Sequence, residues 1–239
     1  MCTEDTSEDI PEARDPFIRD GIPEDATPEE QARILMGFTE TDPRTSPKWT
    51  IVEQAEEQGL DRAIRHMITL VGDDPEREGL LDTPDRVIRS WRELYAGYDT
   101  DVGLLFTQFD SEEYSEMIIL EGIEFQSMCE HHMLPFYGQA WVAYIPNEKV
   151  VGISKLVRVV EAFSKRLQNQ ERITSQVTEA LETYLKPLGA ACVLKGHHMC
   201  MGCRGVRQPS TVMTTSSLTG AFKADAQTRN EFLSFVNKG

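Results

Sequence analysis

After Trp49, apolar residues recur at three- and four-residue steps: Ile51, Val52 and Ala55, then Ala63, Ile64, Met67, Ile68 and Val71. That period predicts one or two amphipathic helices. Thr83-Pro84 supplies a capping threonine followed by proline, and Val87, Ile88, Trp91, Leu94 and Tyr95 form an apolar stripe that Gly97 can end, which predicts a further helix. The texture then becomes strand-like. Residues 117–120 and 123–125 are apolar or alternating, with a possible turn at Glu121-Gly122, and 139–145 form a long apolar run ending at Pro146. Two long strands joined through a Cys/His-rich connection fit this pattern best.

Ser154 reads as a helix cap with Leu156, Val159, Val160, Phe163 and Leu167 facing inward. A second helix carries Ile173, Val177, Ala180, Leu181, Tyr184 and Leu185 and is stopped by Pro187 and Gly189. Strand texture returns at 191–194 and 211–215, before a last helix from about Asp225 to Val236. The order is helices, two strands, two helices, two strands, helix. It predicts an α+β fold with a mainly antiparallel sheet and helices on one face.

The first 48 residues differ in kind. They hold 13 Asp and Glu against 5 Lys and Arg, and 6 of the 12 prolines. We expect an acidic, flexible extension over 1–48, with a short helix starting at Thr27-Pro28, acting as a solubilising tail or as a regulatory or assembly arm. A helical region over 49–110 and a catalytic domain over 111–239 follow.

A net charge of −16 argues against nucleic acid or an anionic membrane as the main partner, so any phosphate site must be local. No apolar run approaches the roughly 20 residues that span a bilayer, and Met1-Cys2-Thr3-Glu4-Asp5 has no secretory character. A cytoplasmic chain is expected. Five cysteines, four of them between Cys129 and Cys203, suit reduced thiols and metal binding better than a disulfide framework.

Cys129-Glu130-His131-His132 sets a thiolate and an imidazole three residues apart, and His197-His198-Met199-Cys200-Met201-Gly202-Cys203 provides a second cluster. Four of the five histidines lie in these two windows. Thiolate and imidazole donors suit zinc. Spacing leaves two arrangements open: an open site on Cys129, His132 and Cys200, or a closed structural site that adds Cys203. There is no H-E-x-x-H, no deaminase pairing of H-x-E with P-C-x-x-C, no phosphate loop and no dinucleotide glycine motif.

Ser127-Met128-Cys129-Glu130-His131-His132-Met133-Leu134-Pro135-Phe136 and Val142-Ala143-Tyr144-Ile145-Pro146 resemble GTP cyclohydrolase I. Gly152-Ile153-Ser154-Lys155-Leu156-Val157-Arg158-Val159-Val160-Glu161, then Arg166-Leu167-Gln168-Asn169-Gln170-Glu171-Arg172, then His198-Met199-Cys200-Met201 with Arg204-Gly205, extend the resemblance over roughly 60–236. It implies a tunnelling fold (T-fold), usually assembled as a homodecamer with active sites between subunits. It also implies zinc-dependent hydrolysis of GTP to 7,8-dihydroneopterin triphosphate and formate, the first step of pterin and folate-type biosynthesis.

Under this resemblance Cys129, His132 and Cys200 hold zinc, a fourth position holds water acidified to a pKa of about 7, and Cys203 is a free thiol. His131 protonates the purine N7 and His198 is a second acid/base group, whereas His197 has no assigned role. Glu171, with Gln170 beside it, binds guanine. Ser154, Lys155, Arg158 and Arg204 serve the ribose and triphosphate, joined by Arg86 from a neighbouring subunit. The rival readings are another tunnelling-fold enzyme of pterin or deazapurine metabolism and a zinc-stabilised assembly module without turnover. The intact Cys129, His132 and Cys200 set disfavours the first, and nothing in the motif set suggests the lost turnover that the second requires.

Overall fold

The computed structural model describes residues 59–238, so the expectations for 1–48 and for the apolar residues between Trp49 and Ala55 lie outside the described residues. Gly59, at φ 69°, turns the chain into helix α1 (Leu60–Leu70), and α2 (Thr83–Leu94) packs beside it. Their apolar stripes meet through Ile64 and Ile88, with Tyr95 closing a small core against Trp91, Tyr98, Met128 and Leu167. Thr83 is not the cap of α2. Asp82 precedes the helix, but its carboxylate accepts from Arg86 at 3.0 Å and makes no cap bond.

The main sheet has five strands in the order β5-β2-β3-β6-β7: β2 (Ile118–Cys129), β3 (Pro135–Ile145), β5 (Leu167–Gln168), β6 (Gly189–His198) and β7 (Met213–Leu218). Every pairing is antiparallel except the short parallel one between β2 and β5. Glu121-Gly122 is a bulge inside one continuous strand and not a turn. The β2–β3 register slips between Leu120 and Ile123, where Gly122 takes φ 68°, a left-handed conformation that glycine adopts without steric cost. A separate two-stranded ribbon pairs β1 (Gln108–Asp110) with β4 (Lys149–Val151). The Val151 N–H donates to the buried Tyr144 hydroxyl at 3.1 Å, tying the entry of the next helix to the core.

Helices α3 (Ile153–Ser164) and α4 (Gln170–Tyr184) cover one sheet face. Phe163, Ile173, Val177 and Leu181 are fully buried against Phe136, Val142 and Leu194. Each such side chain contributes about 1.5–3 kcal/mol of burial. The alternate residues Trp141, Ala143, Ala191 and Val193 face the other way, where Phe222 of the short α6 (Gly220–Ala224) and Phe232 and Val236 of α7 (Ala226–Val236) cover part of the second face. Among the described residues no helix is long and apolar enough to cross a membrane.

Strands β3 and β6 approach closely at Gly138, where an added Cβ would lie 1.9 Å from the Lys195 carbonyl oxygen. That obstacle is backbone and cannot swing aside. Gly138→Ala is therefore expected to destabilise the fold by about 1–3 kcal/mol, read as a lowered urea midpoint.

Candidate metal centre and substrate site

The register β2–β3–β6 sets Ser127 opposite Phe136 and Phe136 opposite His198, so Cys129 and Cys200 emerge from the same end of the sheet. Cys129 is the last residue of β2, and the chain folds back at once. The Cys129 N–H donates to the Leu134 carbonyl at 2.9 Å, and the Met133 N–H donates to the Cys129 carbonyl at 2.7 Å. Met133, at φ 52°, closes this turn in the left-handed region. The His132 ring thereby returns to the thiol, with Nδ1 3.6 Å from Cys129 Sγ, while His131 Nδ1 lies 3.9 Å from the same sulfur. Cys200 arrives on the single turn α5 (Met199–Gly202) that follows β6 directly.

The donor atoms of Cys129, His132 and Cys200 all lie within 4.8 Å of one another. Tetrahedral zinc, with bonds of about 2.3 Å to sulfur and 2.0–2.1 Å to nitrogen, requires a sulfur–nitrogen edge of about 3.5 Å, close to the separation seen here. Electrostatics agrees with the geometry. Burial and the neighbouring Cys129 push the Cys200 thiol's pKa up, so two adjacent thiolates need a cation between them. The residues fit a zinc ion.

Cys203 stands apart, exposed, its thiol donating to the Met199 carbonyl at 3.0 Å. That arrangement favours the open three-ligand site over the closed one. Cys203→Ser is expected to leave zinc at one equivalent per chain, measurable by elemental analysis, whereas loss of the metal would return Cys203 to the ligand set. Cys192 is sealed in the core, where burial raises its pKa.

His198 ends β6 and stacks on Phe136, with centroids 4.6 Å apart and planes 5° from parallel. Its Nε2 is 3.0 Å from Gln170 Oε1. The Gln170 amide nitrogen donates to the carbonyls of Leu194 and Met213 and to the Thr215 hydroxyl, each at 3.1 Å, so its oxygen must face the histidine. An amide oxygen only accepts. Nε2 therefore carries a proton, and Nδ1 is the free lone pair of the neutral ring. Burial lowers the pKa of His198, with Glu171 pulling the other way.

The Gln170 side chain is fully buried behind His198. Gly196 makes room for it, since a Cβ there would stand 2.5 Å from Gln170 Oε1. Glu171, the next residue, is exposed in the first turn of α4. Arg204 brings its guanidinium to 3.4 Å from His132 Nε2. Ser154 is exposed and is the second residue of α3, whose start is flanked by Gly152, so it is not spent on capping as the sequence suggested. Lys155 and Arg158 share that end of α3, and Arg86 lies on α2 beside Asp82. None of these last four groups touches the metal cluster in the described contacts.

Two groups escaped the sequence reading. Glu130, between Cys129 and His131, is held by the fork of Arg172 and by Asn169, which also caps α4 by accepting from the Arg172 N–H at 2.8 Å. Arg172 holds the Glu130 carboxyl below its usual range.

Two thiols and an imidazole gathered at the end of a mainly antiparallel sheet, with two more histidines alongside, make this an α+β protein with an open zinc site of the catalytic type. The family model described as GTP cyclohydrolase I matches residues 60–237. Proteins named GTP cyclohydrolase 1 are similar along most of their length. That of Wolinella succinogenes is 51% identical over 178 residues, covering 74% of this chain and 95% of the relative. Those of Bacteroides fragilis (50% over 182 residues; 76% and 93%) and Rickettsia bellii (46% over 191; 79% and 99%) agree. The chain belongs to the GTP cyclohydrolase I family, and its sheet is a tunnelling fold.

Proposed function

We propose that this chain binds GTP at the sheet end beside Cys129, His132 and Cys200 and converts it to 7,8-dihydroneopterin triphosphate and formate, the reaction of its family. The observation that carries the reading is the meeting of the three ligands within 4.8 Å, with His131 3.9 Å from Cys129 Sγ. Bound zinc acts as a Lewis acid that makes water nucleophilic near neutral pH. Water adds at C8 and the C8–N9 bond breaks; hydrolysis of the N7 formamide releases formate; the ribose rearranges and the second ring closes with loss of water.

The protein's own groups divide this work. His131, exposed beside the metal turn, is placed to protonate N7 as C8 is attacked. His198, with its Nε2 proton committed to Gln170, offers Nδ1 for proton transfer during formamide hydrolysis and rearrangement. The Glu171 carboxylate accepts from guanine N1–H and the 2-amino group together, a pairing adenine cannot supply. GTP brings about four negative charges, so the triphosphate needs concentrated cations in an acidic chain. Arg204 at His132 and Lys155 and Arg158 on α3 provide them, with Ser154 near the ribose and Arg86 from a neighbouring copy.

A homodecamer with sites between copies follows the same reading. It rests on membership of the family. Thiol ligands that must stay reduced support a cytoplasmic protein. Zinc-loaded protein given GTP should release formate and a pterin, fluorescent after oxidation, in equal amounts. Fully metallated protein that releases no formate would overturn the proposal.

A further inference from the structure

We infer that Glu130 and Arg172 form a positioning clamp that sets the distance between the metal turn and the guanine anchor. The inference rests on the reading of Glu171 as that anchor. Glu130 is flanked by Cys129 on one side and by His131 and His132 on the other, whereas Arg172 directly follows Gln170 and Glu171. The two are 42 residues apart in sequence, yet the pair is forked: Arg172 Nη2 donates to Glu130 Oε1 at 3.0 Å and Nη1 donates to Oε2. Asn169 Nδ2 adds a third donor to Oε1 at 3.2 Å.

The backbone repeats the connection. The Glu130 N–H donates to the Gln168 carbonyl at 3.0 Å, and Arg172 Nη1 reaches the Gln168 side-chain oxygen at 3.3 Å. Gln168 is buried, and its amide nitrogen donates to the Phe163 carbonyl and to Gln176 Oε1. The turn holding two zinc ligands and His131 is thus moored through Glu130 to the N-terminus of α4 and, through Gln168, to the core.

An ordinary exposed ion pair is worth about 0–1 kcal/mol and needs no functional account. This one differs in three respects. It is bidentate and extended by an amide and a backbone bond, the Glu130 side chain is only 27% exposed, and it joins the two segments that a bound purine must bridge. A bare carboxylate beside the nucleotide would also repel the triphosphate, and Arg172 cancels it. Because a displacement of about 1 Å between reacting groups costs roughly 10²-fold in rate, the clamp acts on catalysis without touching substrate.

The test compares zinc-loaded wild type with Glu130→Gln, Arg172→Gln, the double variant and Arg172→Lys. It measures zinc per chain, thermal midpoint, and kcat and KM for GTP. Glu130→Gln should lower kcat about 10–100-fold while zinc per chain and KM stay within about twofold of wild type. The double variant should be no slower than the slower single variant, because both break one coupling. Arg172→Lys, which keeps charge but loses the fork, should fall between wild type and Arg172→Gln.

Unchanged kcat in Glu130→Gln, or a loss that merely tracks lost zinc or lost folded protein, would overturn the clamp. So would additive losses in the double variant. Should Glu130→Gln not fold, the Arg172→Lys result decides: wild-type kcat at full zinc content refutes the inference. Failure of wild type itself to release formate would instead count against the proposed function.

Discussion

Replacing Cys200 with alanine is expected to empty the metal site and abolish formate release while leaving the sheet folded. Cys200 sits on a one-turn helix after β6, only partly buried at the edge of the main core, so the strands themselves do not depend on its side chain. Its loss leaves Cys129 and His132 as a two-donor site. Changes to groups that merely support a zinc ligand cost about 10–100-fold in metal affinity, and removing a ligand must cost more. The expected result is protein with wild-type circular dichroism, less than stoichiometric zinc after dialysis, and no formate above background. Stoichiometric zinc in the variant would show that another group, Cys203 foremost, completes the site.

His131→Ala separates chemistry from metal binding. His131 is exposed, lies outside the three-donor set and makes only long contacts, 3.8 Å to Glu130 and 3.9 Å to Cys129 Sγ, so fold and zinc content are expected to survive its loss. General acid catalysis contributes typically 10²–10⁴-fold, and kcat should fall within that range with zinc unchanged. Single-turnover formate release measures it. Turnover within threefold of wild type would remove His131 from the mechanism.

Much of the site was legible because its residues lie in two short windows. The windows meet because a hairpin and its antiparallel neighbour bring the ends of β2 and β6 together, a consequence of strand order that period-two patterns can suggest. Helices α3 and α4 were legible for a similar reason, each burying one apolar stripe. The errors were local. Glu121-Gly122 looks the same as a turn or a bulge until β3 is known to run past both sides of it. Thr83 and Ser154 each lie just inside a helix start and not at the cap, a shift of one or two residues that composition does not resolve.

Gln170 and Glu171 show why neighbours in sequence need not share an environment. Successive helical residues diverge by about 100°, so one side chain enters the core behind His198 while the other faces outward. The Glu130–Arg172 pair carried no signal at all. It depends on β5, a two-residue parallel strand whose Gln168 pairs with Cys129, and two residues are too few to show a period.

Opening of the guanine ring of GTP is expected to require zinc at Cys129, His132 and Cys200. Metal-free protein titrated with zinc, with formate release followed at each addition, tests it most directly. The expected result is no formate without metal, a linear rise to a break at one zinc per chain, and the same zinc dependence in Cys203→Ser. Formate release by metal-free protein, or a fully loaded protein that leaves GTP intact, would contradict it.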